Sequence, residues 1–198
     1  MKKNIAAVLF VTAGATLGTS VFAQSKSFEG FSVALNANSS SVTNELSSGG
    51  LSTKIGDTSE NFTLQAAYSV PMGGSGVLGL GGTYALSDFN AGSLAGGSFK
   101  GKDMYSLYVE PGVLVSSSTL VYAKAAYLNM KGEASGFGAT ASENLDGLGY
   151  GAGVRVAFGK AAFWQLEFTQ SDYNSKSIYG VGFKPSSFNR TLGVGYRF

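Results

Sequence analysis

The sequence predicts an all-β chain, an eight-stranded antiparallel up-and-down transmembrane β-barrel. Three observations carry this. Large apolar and small polar residues alternate with period two along nearly all of the chain beyond residue 23. The alternation falls into eight segments, each about the 9–11 residues that a tilted membrane strand needs. The connections between segments are alternately long and short, as in an outer-membrane barrel with its two unlike ends. Beyond residue 23 no run approaches the roughly 18 consecutive apolar residues of a membrane helix.

Composition narrows the function classes. Charged residues make up 13% of the chain, glycine occurs 29 times, proline three times, and cysteine and histidine are absent. Without cysteine there is no zinc finger, thiol redox site or disulfide scaffold. Without histidine there is no Ser-His-Asp or Cys-His nucleophile system. The amino terminus reads as a targeting segment. Lys2 and Lys3 precede an apolar or small run, Ile5 to Leu17, and Val21-Phe22-Ala23 offers a small residue at a cleavage position. Residues 1–23 are therefore expected to be a cleaved signal peptide, and residues 24–198 the barrel. Removing Lys2 and Lys3 leaves twelve basic residues against twelve acidic ones. No basic patch for nucleic acid remains.

The strands can be taken in order. The first, 28–38, sets Phe31, Val33 and Leu35 against Gly30, Ser32, Ala34 and Asn36. The second, 60–70, sets Phe62, Leu64, Ala66, Tyr68 and Val70 against Asn61, Thr63, Gln65, Ala67 and Ser69. The third, 77–87, has Leu78, Leu80, Tyr84 and Leu86 on one face and Gly79, Gly81, Thr83, Ala85 and Ser87 on the other. The fourth, 103–114, opposes Tyr105, Leu107, Val109 and Val113 to Ser106, Tyr108, Glu110 and Gly112. The fifth, 119–130, puts Val121, Ala123, Ala125 and Tyr127 outside and Tyr122, Lys124 and Ala126 inside. The sixth, 147–158, alternates Leu148, Tyr150, Ala152, Val154, Val156 and Phe158 with Gly149, Gly151, Gly153, Arg155 and Ala157. The seventh, 162–172, opposes Trp164, Leu166 and Phe168 to Phe163, Gln165, Glu167 and Thr169. The eighth, 190–198, alternates Leu192, Val194, Tyr196 and Phe198 with Thr191, Gly193, Gly195 and Arg197. Short turns are expected at 71–76, 115–118 and 159–161, and long exposed loops at about 39–59, 88–102, 131–146 and 173–189.

A soluble lipocalin-like barrel would also alternate, with its large apolar residues inward. Lipid outside fits better. The large-apolar face is nearly free of charge, whereas Glu110, Lys124, Arg155, Glu167 and Arg197 share the small-polar face. A lipid-facing Arg or Lys at the bilayer midplane would cost about 2–4 kcal/mol. Aromatic residues also collect at the two ends of the apolar face. Phe62, Tyr84, Tyr105, Tyr127 and Tyr150 lie toward the long loops. Phe31, Tyr68, Phe158, Trp164, Tyr196 and Phe198 lie toward the short turns, giving one girdle per interface. Inward glycines make room for larger inward groups in a lumen only wide enough to be filled by side chains. Their G-x-G runs lack the following helix and third glycine of a nucleotide loop.

Glu110, Lys124, Arg155 and Glu167 fall on consecutive strands with the same inward parity, and Arg197 shares that parity on the last strand. They read as a lumen ion network. Its structural reading is a plug that fills and locks the barrel, and its functional reading is a gate or ion path. Glu110 and Glu167 form the only inward carboxylate pair in the strands, and Lys124 and Arg155 can neutralise them. No catalytic residue, cofactor or metal is therefore expected. The long connections, rich in Ser, Gly, Asn and Ala, could bind a partner or simply be a solvated coat.

Taken together, these features resemble the small eight-stranded outer-membrane β-barrels of Gram-negative bacteria, the OmpA transmembrane domain and OmpX-like group within the porin family outer membrane β-barrel domain. The segments that carry the likeness are Tyr105-Ser-Leu-Tyr-Val-Glu-Pro-Gly112 with Leu120-Val-Tyr-Ala-Lys124, Asn144-Leu-Asp-Gly-Leu-Gly-Tyr-Gly-Ala-Gly-Val154, and the terminal Tyr196-Arg197-Phe198. The resemblance covers the whole mature chain. It implies a monomer in the outer membrane, in contact with lipid and lipopolysaccharide and exported by the general secretory route. It implies that Tyr196 and Phe198 belong to a carboxy-terminal signal read by the barrel-assembly machinery. Its members serve envelope integrity, adhesion, host interaction or small pores. The expected role is a structural or surface-interaction barrel, with a host or surface partner at the loops. The alternative is a narrow porin-like channel for ions or small solutes.

Overall fold

The computed structural model describes residues 28–48, 51–94, 97–136, 139–178 and 181–198. The expected signal peptide, 1–23, lies outside the described residues. Among the described residues ten strands form: β1 (Gly30–Ser48), β2 (Leu51–Pro71), β3 (Gly76–Ala85), β4 (Phe89–Leu94), β5 (Gly97–Ser116), β6 (Thr119–Gly136), β7 (Ala139–Phe158), β8 (Ala162–Tyr173), β9 (Lys176–Ile178) and β10 (Val181–Arg197). Neighbours pair antiparallel in the order β1-β2-β3-β5-β6-β7-β8-β10, and β1 pairs with β10, which closes the barrel. Short breaks at 86–88 and 174–175 separate β4 from β3 and β9 from β8. β4 pairs with β5 and β9 with β10, so each prolongs the stave below it. Among the described residues the barrel therefore has eight staves, two of them interrupted.

The register sets the width. Cross-strand partners followed once around from Ser32 pass through Ala67, Gly81, Tyr108, Ala126, Gly149, Ser171 and Ser187 and arrive at Val42, ten residues further along β1. At a rise of about 3.3 Å and a strand spacing of about 4.8 Å, that stagger tilts the strands by about 40°. Side chains can fill a lumen of this width.

Most staves bury their small or polar parity and expose their large apolar one, whereas β6 turns Leu120, Tyr122, Leu128 and Met130 inward and Val121, Ala123, Ala125 and Tyr127 outward. Leu80, Leu107, Leu148 and Leu192 are 57–67% exposed. This is the reverse of a soluble core and suits a hydrocarbon surround. The short connections lie at one end. The turn between β2 and β3 uses Gly73 and Gly74 at positive φ, 84° and 57°, and closes with Met72 N donating to Gly76 O at 2.9 Å.

The other end departs from the expected long loops. Most of 39–59, 88–102, 131–146 and 173–189 is paired strand. β1 and β2 continue pairing as far as Ser48 with Leu51, and β6 and β7 as far as Gly136 with Ala139. With 19 and 21 residues, β1 and β2 far exceed the roughly 9–11 needed to cross a bilayer. Beyond the bilayer neither face needs to be apolar. The period-two signal fades there while backbone pairing goes on. The extension also divides. Past the bond from Leu86 N to Phe62 O, and past that from Asn174 N to Asp146 O, β2 and β7 each lose the neighbour on one side. Two walls result, β9-β10-β1-β2 and β4-β5-β6-β7. A bulge at Asp103 (φ 50°) shifts the register of β5 against β6 and switches which parity of β5 faces in.

An outward charge tests this orientation. Leu80→Arg should destabilise the barrel by about 2–4 kcal/mol against urea in lipid vesicles, with Leu80→Gln well below that. Equal tolerance of both would contradict a lipid-facing Leu80.

Candidate functional site

The inward residues of six staves meet in a layer across the lumen. Lys124 of β6 lies 3.0 Å from Glu110 Oε1 of β5 and 2.5 Å from Glu167 Oε2 of β8. Arg155 of β7 reaches Glu110 Oε2 with one terminal nitrogen at 3.2 Å, and its Nε donates to Gln165 Oε1 at 3.0 Å. Gln165 Nε2 donates to Asn36 Oδ1 of β1 at 2.8 Å and to Gln65 Oε1 of β2 at 2.7 Å. Glu167 also accepts from the Tyr122 hydroxyl at 3.1 Å and the Thr169 hydroxyl at 3.0 Å. Gln65 Nε2 donates to the Tyr108 hydroxyl at 2.6 Å. The Lys124 ammonium sits 4.2 Å from the centre of the Tyr108 ring, and the Arg155 guanidinium 5.0 Å from that of Tyr122.

Glycines on β7 and on the two remaining main staves, β3 and β10, make room for these contacts. Gly153 on β7 has Tyr122 as its partner on one side and Glu167 on the other. The Tyr122–Glu167 bond crosses over it. A Cβ at Gly153 would come within 2.5 Å of the Tyr122 hydroxyl. Gly193 on β10 lies between Asn36 and Gln165 in the same way, and a Cβ there would collide with Asn36 Oδ1. Gly81 on β3 lies opposite Tyr108, and Gly79 opposite Glu110. The inward glycines thus let a side chain on one strand touch one two strands away.

All four charged groups are buried, at 3–7% exposure. Burying a charge is costly unless it is paired and its remaining valences are satisfied. The layer meets that condition with two carboxylates, two cations and a surrounding set of amides and hydroxyls. It divides the lumen into an outer chamber of about 100 Å³ and an inner one of about 50 Å³. Higher on the outer extension Lys102 and Glu133 bridge β5 and β6 at 3.0 Å, and that hydrogen bond holds the Lys102 ammonium above its ordinary pKa.

Of the residues singled out from sequence, the structure brings Glu110, Lys124, Arg155 and Glu167 together. Arg197 does not join them. It has the inward parity but stands at the last turn of the barrel, where its guanidinium donates to the main-chain oxygens of Glu29 (3.4 Å) and Lys160 (3.1 Å). Phe62, Tyr84, Tyr105, Tyr127, Tyr150, Phe158 and Trp164 are all exposed on the outer face. Tyr196 and Phe198 are exposed as well, with ring centres 5.2 Å apart, and Phe198 N donates to Phe31 O. Sequence reasoning did not place Asn36, Gln65, Tyr108, Tyr122 and Gln165 in the layer. Their common signal is a polar or aromatic side chain of inward parity beside a strand carrying inward glycine.

A closed barrel with an apolar outer belt and a charge-filled lumen defines a transmembrane β-barrel protein. The chain belongs to the outer membrane protein β-barrel domain family, which its sequence matches over residues 7–198. Its fold is similar to that of Ail, the attachment invasion locus protein of Yersinia pestis, at 20% identity and TM-score 0.50, covering 86% of this chain and 99% of that one. The same protein in complex with the heparin analogue sucrose octasulfate matches with TM-score 0.51 at the same identity and coverage. Neisserial surface protein A matches at 16% identity and TM-score 0.51, covering 83% of this chain and 99% of that one. At such identities the likeness concerns the fold. No curated protein matches the sequence.

Removing one partner from a buried ion group leaves the others uncompensated. Lys124→Met should cost about 3–5 kcal/mol in urea unfolding of the refolded barrel. Lys124→Met combined with Glu167→Gln should recover part of that loss, since one stranded carboxylate is then neutral. Unchanged stability of the single variant would remove the layer from the forces that hold the barrel.

Proposed function

We propose that this chain is a structural and surface-interaction barrel in the outer membrane of a Gram-negative bacterium, neither catalytic nor conductive. The observation that carries the reading is the layer of Glu110, Lys124, Arg155 and Glu167. It is tied to the walls by Gln165, Asn36 and Gln65, and so fills the lumen from side to side. The long paired hairpins support the surface role. The paired extensions present side chains beyond the bilayer, which suits a host or surface partner. The similar folds include a protein named for attachment and invasion and one named as a surface protein, in keeping with this role. The missing histidine, and carboxylates already paired with cations, argue against catalysis.

The remaining features follow the same reading. Residues 1–23 act as a signal peptide on the general secretory route, and Tyr196 and Phe198 form the signal for the barrel-assembly machinery. The aromatic girdles meet lipid and lipopolysaccharide, and the barrel works as a monomer. A narrow channel is the second reading, favoured by the two chambers that a single layer of side chains separates.

Two measurements decide between these roles. The protein should fractionate with the outer membrane and shift its mobility on heating in SDS. Purified protein in planar bilayers should show no reproducible open steps. Regular unitary conductance from the wild-type chain would replace the plugged barrel with the channel.

A further inference from the structure

The inner chamber, about 50 Å³, is bordered by charges of one sign. They are Arg155 of β7, Arg197 of β10 and Lys160 of the turn between β7 and β8. Among the described residues no carboxylate side chain lines it. Glu29, whose main-chain oxygen accepts from Arg197, is itself exposed and outside the lining. The remaining lining is Ser32, small residues and the rings of Phe28 and Phe163. Phe28 precedes β1, is 5% exposed, and packs with Val77, Leu114 and Leu120 on the far side of the lumen. It thereby covers part of the inner mouth.

One edge of Arg155 is unserved. The residue is 3% exposed. Its Nε donates to Gln165 at 3.0 Å and its Nη2 to Glu110 at 3.2 Å, while Nη1 meets no acceptor among the described residues. The rings of Tyr122 and Phe163 lie with their centres 5.0 and 5.1 Å from the guanidinium carbon and hold its plane. A guanidinium keeps its charge, so it cannot relieve an unmet donor by losing a proton. An acceptor supplied from the chamber gains from the hydrogen bond and from the charge together.

Charge and size define the ligand class. Three cations and no carboxylate around a small cavity focus a positive potential, which favours an anion. At about 10–15 Å³ for each water, the chamber holds roughly three to five waters. That is space for one monatomic anion with part of its water shell, and too little for a sugar, a nucleotide or a sulfate with its waters. We propose that the inner chamber is a binding site for a small monovalent anion of the halide class, such as chloride. Arg155 Nη1 donates to the ion from the side of the layer, Lys160 and Arg197 supply positive potential at the rim, and waters complete its shell. Glu110, on the other edge of Arg155, opposes the ion, so the two rim cations are needed to hold it.

The test uses the full barrel in phospholipid nanodiscs, with the arginine side-chain resonances followed by NMR. Sodium chloride or sodium bromide replaces sodium gluconate at constant ionic strength. Chloride and bromide should each give a saturable shift of the Arg155 Nε resonance. Lys160→Gln combined with Arg197→Gln, which leaves the ion layer intact, should weaken that binding by about tenfold or more. Ala157→Phe, which fills the chamber, should abolish it, and all variants are checked for the heat-dependent mobility of a folded barrel. A wild-type barrel whose Arg155 signal does not saturate with either halide would overturn the site. So would an equal response to gluconate added at rising concentration, or an affinity unchanged in the folded Lys160→Gln, Arg197→Gln variant.

Discussion

The width of the lumen governs the rest of the structure. Eight staves staggered by ten residues enclose a space that inward side chains of ordinary size would overfill. The chain meets this by placing a glycine beside nearly every large inward group: Gly81 by Tyr108, Gly153 by Tyr122, Gly193 by Asn36 and Gly195 by Phe163. The close fit goes further than relief of crowding. Over Gly153 and Gly193 the side chains of the flanking strands meet directly, so hydrogen bonds skip a stave and brace the wall diagonally.

The ion layer depends on that bracing. A paired charge in the interior is tolerated only when its geometry is held and its remaining lone pairs and protons are met. Gln165, with no exposed surface, supplies much of this, since it joins Arg155 to both Asn36 and Gln65. Above the layer the outer hairpins carry inward groups of their own, Val42 with Phe89 and Leu145 with Met130. Their register continues that of the barrel, while the residues they turn outward need satisfy only water.

Much of this was legible in the sequence, and the failures have physical causes. Parity survives any uncertainty in stagger, so the inward and outward faces of Phe31 to Asn36 or of Leu148 to Phe158 could be read directly. Four charges on one parity of consecutive strands likewise pointed to one cluster. The partners of each charge could not be read, because a shift of two residues between neighbouring strands preserves parity and changes every contact. Arg197 shows the limit: its parity is inward, but its height along the axis leaves it at the rim. The outer hairpins were hidden for another reason. Stretches such as Ser39 to Ser41 opposite Thr58 to Glu60 are polar on both faces, so hydropathy carries no period there. The Asp103 bulge hides a further part, since one added residue reverses the faces above it.

The ion layer has one electrical consequence. Two carboxylates and two cations sum to zero near the middle of the barrel, and each is held within 3.2 Å of an opposite charge. A potential difference across a membrane does work of about 2.3 kcal/mol per elementary charge per 100 mV on a displaced net charge. Here the layer as a unit presents none. A Donnan potential of either sign therefore exerts no net force on the layer as a unit and acts only on its internal dipoles.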